Sequence, residues 1–193
     1  MYITAETVEE LKKKFGAPEE IALSYEMART EFDMVRRSQK HGRAHDVTLF
    51  IIDQGRVVVI KKPMYPEGAY RAPSGGIEPG EPFEEGALRE AYEETGLAIA
   101  LARYLFRVKV RFTCAGDSID WTSYVFSARP AGGHLQPIDT HEIVEARFAS
   151  VEELQGPIKS ALLASGSTGL RYRSDLNDMV LGKLVGDGLL TIS

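Results

Sequence analysis

The sequence lacks the features that mark secreted and membrane proteins. It has a single cysteine, Cys114, so the chain cannot form an internal disulfide, which is typical of a reducing compartment. It has no apolar run near the roughly 18 residues that a membrane-spanning helix needs. Its first sixteen residues contain no basic segment followed by an apolar one, as a secretory signal would. We therefore expect a cytoplasmic protein without a membrane anchor, with Cys114 filling a strand position rather than acting as a nucleophile.

The sequence also lacks an excess of positive charge. Its 23 lysines and arginines are outnumbered by 28 aspartates and glutamates, which gives a formal net charge of −5 and no general attraction for nucleic acid. The fractions of hydrophobic (44%) and charged (26%) residues are ordinary for a globular chain with a sizeable core. A polyanionic ligand must therefore be bound locally, by a metal or a few basic side chains. This favours a small phosphorylated partner over RNA or DNA.

One segment, GGIEPGEPFEEGALREAYEETGL, is rich in carboxylates and glycines and ends at Leu97. If the residues after Pro82 form a helix, Glu90, Glu93 and Glu94 lie on one face of it, because they are spaced i, i+3 and i+4. Carboxylates this close repel each other unless a cation lies between them, and oxygen ligands suit Mg²⁺ or Mn²⁺. The spacing therefore predicts a divalent-metal site. The alternative, an exposed acidic helix that serves only solubility, would more often alternate glutamates with lysines.

The same segment resembles the Nudix box, Gly-x5-Glu-x7-Arg-Glu-U-x-Glu-Glu-x-Gly-U, in which U is aliphatic. All seven fixed residues are present: Gly75, Glu81, Arg89, Glu90, Glu93, Glu94 and Gly96. The one departure is Ala91 in place of a bulkier aliphatic residue, and it concerns packing rather than metal binding. The chain is thereby identified as a member of the Nudix superfamily over about residues 45–155.

The resemblance implies a fold as well. Pattern alone favours a mixed α/β arrangement, because predicted strands and helices interleave without a strict βαβ rhythm. Similarity to the family sharpens this to an α/β/α sandwich around a mixed β-sheet. We add an N-terminal helical arm over residues 1–44 and assign residues 45–193 to the Nudix domain, including a C-terminal helical tail.

In the arm, the segment from Thr7 to Glu10 predicts a capped helix start, and Gly16 predicts its end. Apolar residues after Pro18 recur at steps of three and four and predict a second helix: Ile21, Tyr25, Ala28, Phe32 and Val35. This stripe would cover the core or form a homodimer contact.

In the domain, the sequence predicts a β-hairpin over residues 47–52 and 56–61, and strands over residues 103–112, 121–128 and 143–148. Helices are predicted after Ser150 and over residues 174–185.

Two groups of basic residues each have two interpretations. A cluster precedes the first domain strand: Arg36, Arg37, Lys40, His41, Arg43 and His45. It is either a solvated connector or a phosphate-contacting segment, and its histidines lack companions at metal-ligand spacing. A stripe occupies one face of the strand over residues 103–112: Arg103, Arg107, Lys109 and Arg111. It is either a solvated or partner-facing surface or a phosphate-binding wall.

The resemblance implies roles for the site residues. Glu90, Glu93 and Glu94 are expected to hold Mg²⁺, with Mn²⁺ as an alternative, and supporting roles fall to Gly75, Gly76, Glu81 and Arg89. Family members often add a carboxylate from a later loop as general base. Our candidate is Glu142, ahead of Glu145, while Glu93 and Glu94 also remain candidates. We expect Arg71, Tyr70 and Glu145 to contact substrate. The box glutamates should face the metal rather than the core.

The predicted function is Mg²⁺-dependent hydrolysis of a diphosphate bond in a nucleoside diphosphate linked to another moiety. A nucleotide sugar, ADP-ribose or a nucleoside triphosphate all fit. Markers of two subgroups are absent, since Cys114 stands near the tyrosine of dinucleoside-polyphosphate hydrolases and Phe112 near the proline of ADP-ribose hydrolases. Two alternatives stay open: a nucleotide-sensing module without turnover, and an RNA 5′ pyrophosphohydrolase.

Overall fold

A mixed β-sheet forms the centre of the computed structural model, which describes residues 3–190 and the backbone but not the side chain of Lys40. The sheet has seven strands: β1 (Glu19–Glu26), β2 (His45–Asp53), β3 (Arg56–Lys61), β4 (Ser74–Gly75), β5 (Leu97–Cys114), β6 (Asp117–Gly133) and β7 (Glu145–Ala149). Their order is β1-β5-β6-β2-β3-β7, and the short β4 pairs with β2. β1 is parallel to β5 and β2 to β6, whereas the other pairs are antiparallel.

Helices cover both faces of this sheet. They are α1 (Ala5–Phe15), α2 (Arg29–Ser38), α3 (Phe83–Thr95), α4 (Val151–Glu153), α5 (Lys159–Ala164) and α6 (Thr168–Gly186), and a π-helical turn over Leu154–Ile158 joins α4 to α5. One hydrophobic core lies between the sheet and α1 and α3, and the other lies between the sheet and the remaining helices. Successive residues of β3 enter opposite cores, with Val58 in one and Val57 and Val59 in the other, as the strand period of two requires. The predicted α/β/α sandwich around a mixed sheet is confirmed.

The prediction of a second helix after Pro18 is wrong. Residues 19–26 form β1, which pairs along its length with β5, and the helix α2 begins only at Arg29. Ile21 and Tyr25 are separated by four residues, a spacing that fits one face of a strand as well as one face of a helix. The N-terminal segment is therefore not a purely helical arm, because β1 belongs to the sheet of the domain.

The first helix is confirmed, with a shifted start. Thr4, not Thr7, is the N-cap, and its side chain accepts a hydrogen bond from the Thr7 amide at 3.0 Å. Gly16 ends the helix as predicted. Val8 and Leu11 are buried against the sheet, so α1 is packed on the domain.

Most of the remaining predictions are confirmed by the structure. The hairpin β2–β3 turns at Gln54 and Gly55, both with positive φ, which is the geometry of a two-residue hairpin turn. Strands are found at all three further predicted segments, and they extend beyond the predicted bounds of the first two. Ser150 caps α4 in a reciprocal capping box with Glu153, and the last helix starts at Thr168, earlier than predicted. No helix within residues 3–190 is long and apolar enough to cross a membrane.

Packing fixes the position of the acidic helix α3 on the sheet. Ala87 and Ala91 are fully buried, so the helix lies close to the strands, and the small Ala91 has a packing role there. Phe83 anchors the first turn, with its ring 5.5 Å from the ring centres of both Tyr124 and Phe126. The face of α3 that carries Ala87 and Ala91 is thereby fixed against the sheet.

Gly96 ends α3 in the left-handed conformation, with φ of 74°. A β-carbon at this position would lie 2.2 Å from the carbonyl oxygen of Gln136 and 2.6 Å from that of His134. Only glycine satisfies both the backbone conformation and the close contact.

Replacing Gly96 by Ala should lower the free energy of unfolding by about 2 to 5 kcal/mol, because left-handed strain and a backbone clash add together. Gly55→Ala is the matched control. Its φ is 75° and a β-carbon there meets no atom within 4 Å, so strain alone should cost about 1 to 2 kcal/mol. Urea unfolding of both variants measures the difference, and equal losses would contradict the clash at Gly96.

Candidate active site

Arg89 connects the carboxylates of the box segment to one another. Its Nε and Nη2 donate to the two oxygens of Glu81 at 2.8 and 2.9 Å, which is a bidentate pair. Its Nη1 donates to Glu90 at 3.0 Å and Glu93 at 3.2 Å, and Nη2 also donates to the carbonyl oxygen of Gly76 at 3.0 Å. Arg89 holds the pKa of the Glu81 carboxyl below its usual value. One guanidinium thus orients three carboxylates and one loop.

Glu90 lies against the glycine loop that precedes the helix. Its Oε1 accepts a hydrogen bond from the Gly76 amide at 3.1 Å. A β-carbon on Gly75 would lie 1.8 Å from Glu90 Oε2, so this residue must be glycine for the carboxylate to fit. Burial raises the pKa of the Glu90 carboxyl to about 7, against the lowering effect of Arg89 and with Glu94 and Glu93 adding to the rise.

Glu94 faces the interior, contrary to our expectation that all box glutamates avoid the core. It is 4% exposed and accepts hydrogen bonds from the Ser74 amide at 2.7 Å and from Arg71 Nη2 at 3.1 Å. Burial raises the pKa of the Glu94 carboxyl, while Arg71 opposes this rise. The i, i+4 spacing of these glutamates predicts that they share one side of the helix, but it does not predict how deeply each carboxylate is buried.

Arg71 is buried behind Glu94 rather than at a substrate-contacting surface. Its guanidinium also donates to the Tyr65 hydroxyl at 3.0 Å and to the Ala72 carbonyl and Ser74 hydroxyl at 2.8 Å. Burial alone would lower the pKa of Arg71, but Glu94 and Tyr65 raise it above its usual value. The structure therefore places Arg71 as the fixed partner of Glu94.

Glu142 reaches the same region from a distant loop. The Asp139 side chain accepts from the amides of His141 and Glu142 at 3.0 and 3.1 Å and so shapes the turn. Lys62 Nζ donates to Glu142 at 2.7 Å. Lys62 was not singled out from the sequence, because its partner is 80 residues away and no local pattern links them.

Glu145, the second candidate for the late carboxylate, lies elsewhere. It accepts from the Tyr70 hydroxyl at 2.7 Å, and the Arg147 guanidinium lies over the Tyr70 ring at 4.4 Å. Tyr70 itself is buried. Neither Tyr70 nor Glu145 lines the cavity to which Glu142 belongs.

A cavity of about 640 Å³ is bounded by residues that carry opposite charges. Its acidic residues are Glu78, Glu90, Glu94 and Glu142, and its basic residues are Arg43 and Lys62, with His41 beside them. Gly75 and Gly76 form part of its wall. Glu93 lies outside the lining, with a side chain 45% exposed. The cavity therefore offers both carboxylates and cations to a polar ligand.

The basic residues predicted from the sequence divide into several groups. His41 and Arg43 line the cavity, whereas Arg36 pairs with Asp117 and His45 is buried. The side chain of Lys40 lies outside the described residues. Every member of the basic stripe on β5 has a carboxylate partner: Arg103 with Asp187, Arg107 and Lys109 with Glu20, and Arg111 with Asp120. The stripe does not line the cavity, so the phosphate-binding wall is not the arrangement observed.

The donor atoms of the box glutamates are of the type that binds a hard divalent ion. They are carboxylate oxygens, and the loop of Gly75 leaves the Glu90 carboxylate the space that a side chain would fill. In the described part of the chain, no three acidic, histidine or cysteine side chains converge as they stand into a metal-binding group. Arg71 donates to one oxygen of Glu94, and Arg89 donates to one oxygen each of Glu90 and Glu93. Glu90, Glu93 and Glu94 are thus chemically suitable ligands now held by arginines.

Comparison with known proteins identifies a family domain that includes the box segment. Residues 40–166, more than half of the chain, match the family model of the NUDIX domain. The putative mutator protein MutT4 of Mycobacterium tuberculosis is 30% identical over 116 residues, which are 60% of this chain and 44% of that protein. The NAD-capped RNA hydrolase NudC of Chromobacterium violaceum is 29% identical over 115 residues, which are 59% of this chain and 41% of that protein.

These curated relatives are longer than the matched region, so the chain spans less than half of their length. Among solved structures, a MutT NUDIX hydrolase from Burkholderia pseudomallei has a TM-score of 0.49 and 23% sequence identity, covering 69% of this chain and 96% of that one.

Glu94→Gln should lower the free energy of unfolding by about 3 to 5 kcal/mol. Arg71 cannot lose its proton and would remain a buried charge without its carboxylate. Glu93→Gln is the matched control on the same helix and should cost less than about 0.5 kcal/mol, because that side chain is half exposed. Urea unfolding at pH 7 measures both, and losses of equal size would show that the buried pair is not a main determinant of stability.

Proposed function

Because this chain belongs to the NUDIX domain family, we propose that it is a Mg²⁺-dependent hydrolase that cleaves a diphosphate bond in a nucleoside diphosphate linked to another moiety. The observation that supports this most directly is the meeting of Glu90 and Glu94 from α3 with Glu142 from a distant loop around one cavity. The same cavity carries cations that can contact phosphate oxygens.

Glu90, Glu93 and Glu94 are the residues that would hold Mg²⁺. Bound there, the ion would supply neutralisation of the diphosphate oxygens and an acidified water. Arg89 would hold Glu90 at the cavity and restrain Glu93, which lies outside the lining, through the contacts it makes to both. Its bidentate bond to Glu81 keeps the guanidinium itself in place. Arg71 would fix the rotamer of Glu94 in the same way.

Glu142 is the general base in this proposal. A base must lie within hydrogen-bond reach of the proton that it removes from the attacking water. Glu142 lines the cavity, and its ion pair with Lys62 restricts where the carboxylate can point. Glu94 is less suited to this task, because both of its oxygens already accept hydrogen bonds from buried donors. Lys62 would also lower the cost of bringing an anionic substrate close to Glu142 and Glu94.

Nucleotide sugars, ADP-ribose and nucleoside triphosphates are the substrates that the proposal covers. A second candidate is the 5′ end of RNA, which the name of the Chromobacterium violaceum relative favours. The net charge of −5 and the pairing of the β5 cations within the chain favour a small nucleotide over a long RNA. A sensing module without turnover is less favoured, because all the box glutamates are present.

Turnover of a panel of nucleoside triphosphates, ADP-ribose, nucleotide sugars and triphosphorylated RNA should occur with Mg²⁺ and stop when a chelator is added, because the diphosphate charge then lacks its counterion. Glu90→Gln should lose this turnover. Glu85→Gln is the matched control, since Glu85 is exposed on the same helix and lies outside the cavity. Tight binding of one compound without hydrolysis by the unmodified protein would favour the sensing module instead.

Glu142→Gln should slow turnover by about 10²-fold or more, because the amide cannot accept the proton of the attacking water. Glu145→Gln should leave the rate within about twofold, since Glu145 is bonded to Tyr70 outside the cavity. Steady-state kinetics on the best compound of the panel compare the two. The reverse ranking would assign the general base to Glu145. Unchanged rates in both variants would indicate that the general base is Glu93 or Glu94 of the box.

A further inference from the structure

Arg43 is a cation of the cavity that the proposed mechanism does not use. Lys62, the other basic side chain in the lining apart from His41, is paired with Glu142. Within residues 3–190, Arg43 has no carboxylate within ion-pair distance, and its Nε atom is buried without a hydrogen-bond partner. The buried Nε–H has lost its hydration without gaining a hydrogen-bond acceptor, which costs free energy. An incoming anion would supply that missing partner.

The backbone is built to bring this side chain to the glycine loop. After α2 ends, the chain reverses through two consecutive residues with positive φ, His41 at 56° and Gly42 at 78°. The Arg43 guanidinium then lies against Gly76, where a β-carbon would be 1.7 Å from its Nη1. Left-handed backbone at a non-glycine residue such as His41 is uncommon and costs free energy, so the turn is maintained by its surroundings.

Two adjacent glycines therefore make room for side chains of opposite charge. Gly75 makes room for the Glu90 carboxylate and Gly76 makes room for the Arg43 guanidinium. Their α-carbons are about 3.8 Å apart, as in any trans peptide. A ligand in the cavity thus meets an acidic group and a cation on neighbouring positions of one loop. This arrangement would suit two linked phosphates, one at Arg43 and the other near Glu90, where Mg²⁺ held by the carboxylates would offset the like charges.

We propose that Arg43 binds a phosphate group of the substrate and thereby selects ligands that carry a diphosphate. The inference rests on the proposed function in so far as the ligand is a diphosphate. A guanidinium is suited to this role, since its planar fork can donate two parallel hydrogen bonds to phosphate and is weakly hydrated. Binding at Arg43 leaves the second phosphate beside Glu90 and Glu94, where the proposed chemistry takes place.

The test measures binding rather than turnover. Inorganic diphosphate is titrated calorimetrically, in the presence of Mg²⁺, into the full chain and its variants. Arg43→Gln should weaken binding by about 10- to 100-fold, the loss expected for a hydrogen bond to a charged group. Arg43→Lys should recover part of the affinity, because it restores the charge but not the fork. Arg37→Gln is the matched control, since Arg37 is exposed in the same basic cluster and lies outside the cavity.

Gly76→Ala provides an independent route to the same site. The added methyl group would displace the end of the flexible Arg43 side chain, while the backbone at Gly76 needs no left-handed conformation. It should weaken diphosphate binding as much as Arg43→Gln does, and the double variant should be no weaker than either one. Thermal unfolding of each variant confirms that the fold is intact.

Three results would overturn the inference: no binding of diphosphate by the unmodified protein, equal affinity in Arg43→Gln, or an equal loss in Arg37→Gln. The outcome is separate from the proposed function. If no nucleotide is hydrolysed but Arg43→Gln still binds diphosphate more weakly than the unmodified protein, the phosphate site stands and the hydrolase proposal fails. If nucleotides are hydrolysed and Arg43→Gln binds normally, the hydrolase proposal stands and the role of Arg43 fails.

Discussion

Control of mutual repulsion among carboxylates is the constraint on which this site depends. Glu81, Glu90, Glu93 and Glu94 all come from one loop and one helix, and bare carboxylates at such spacing destabilise a helix. Two arginines resolve this. Arg89, which is partly exposed, is shared by Glu81, Glu90 and Glu93, and the buried Arg71 pairs with Glu94. The helix can therefore keep four acidic groups close together before any ligand arrives.

The two arginines differ in what they permit. Arg89 and Glu93 are both partly exposed, so their contact at 3.2 Å can be exchanged for contacts with water or an ion at modest cost, whereas the Glu90 carboxylate is mostly buried. Arg71 is buried with every nitrogen hydrogen-bonded, so its pair with Glu94 cannot open without leaving a buried charge. The site thus combines one adjustable carboxylate, Glu93, with one that is fixed, Glu94, and this difference follows from their burial.

The sequence predicted the parts of the structure that depend on local spacing. The helix α3, its end at Gly96 and the common side of its glutamates follow from periodicity and from the box pattern. The strand β1 was not predicted, because the spacing of Ile21 and Tyr25 fits a helix and a strand equally well. The depth of Glu94, the position of Arg71 and the partnership of Lys62 with Glu142 also escaped prediction. Each of these depends on contacts between distant segments, which local spacing does not encode.

The loop that carries Glu142 is tied at both ends to elements of the site. The amides of Ile138 and Asp139 donate to the carbonyl oxygen of Glu93 at 3.0 and 2.9 Å, and the amide of Val144 donates to the carbonyl oxygen of Lys61 at 2.9 Å. The loop is therefore hydrogen-bonded at one end to the C-terminal part of α3 and at the other to the end of β3. Glu142 is therefore positioned by hydrogen bonds to both the helix that carries the box glutamates and the strand that precedes Lys62. The length of chain between these two attachments limits how far Glu142 can lie from the box glutamates.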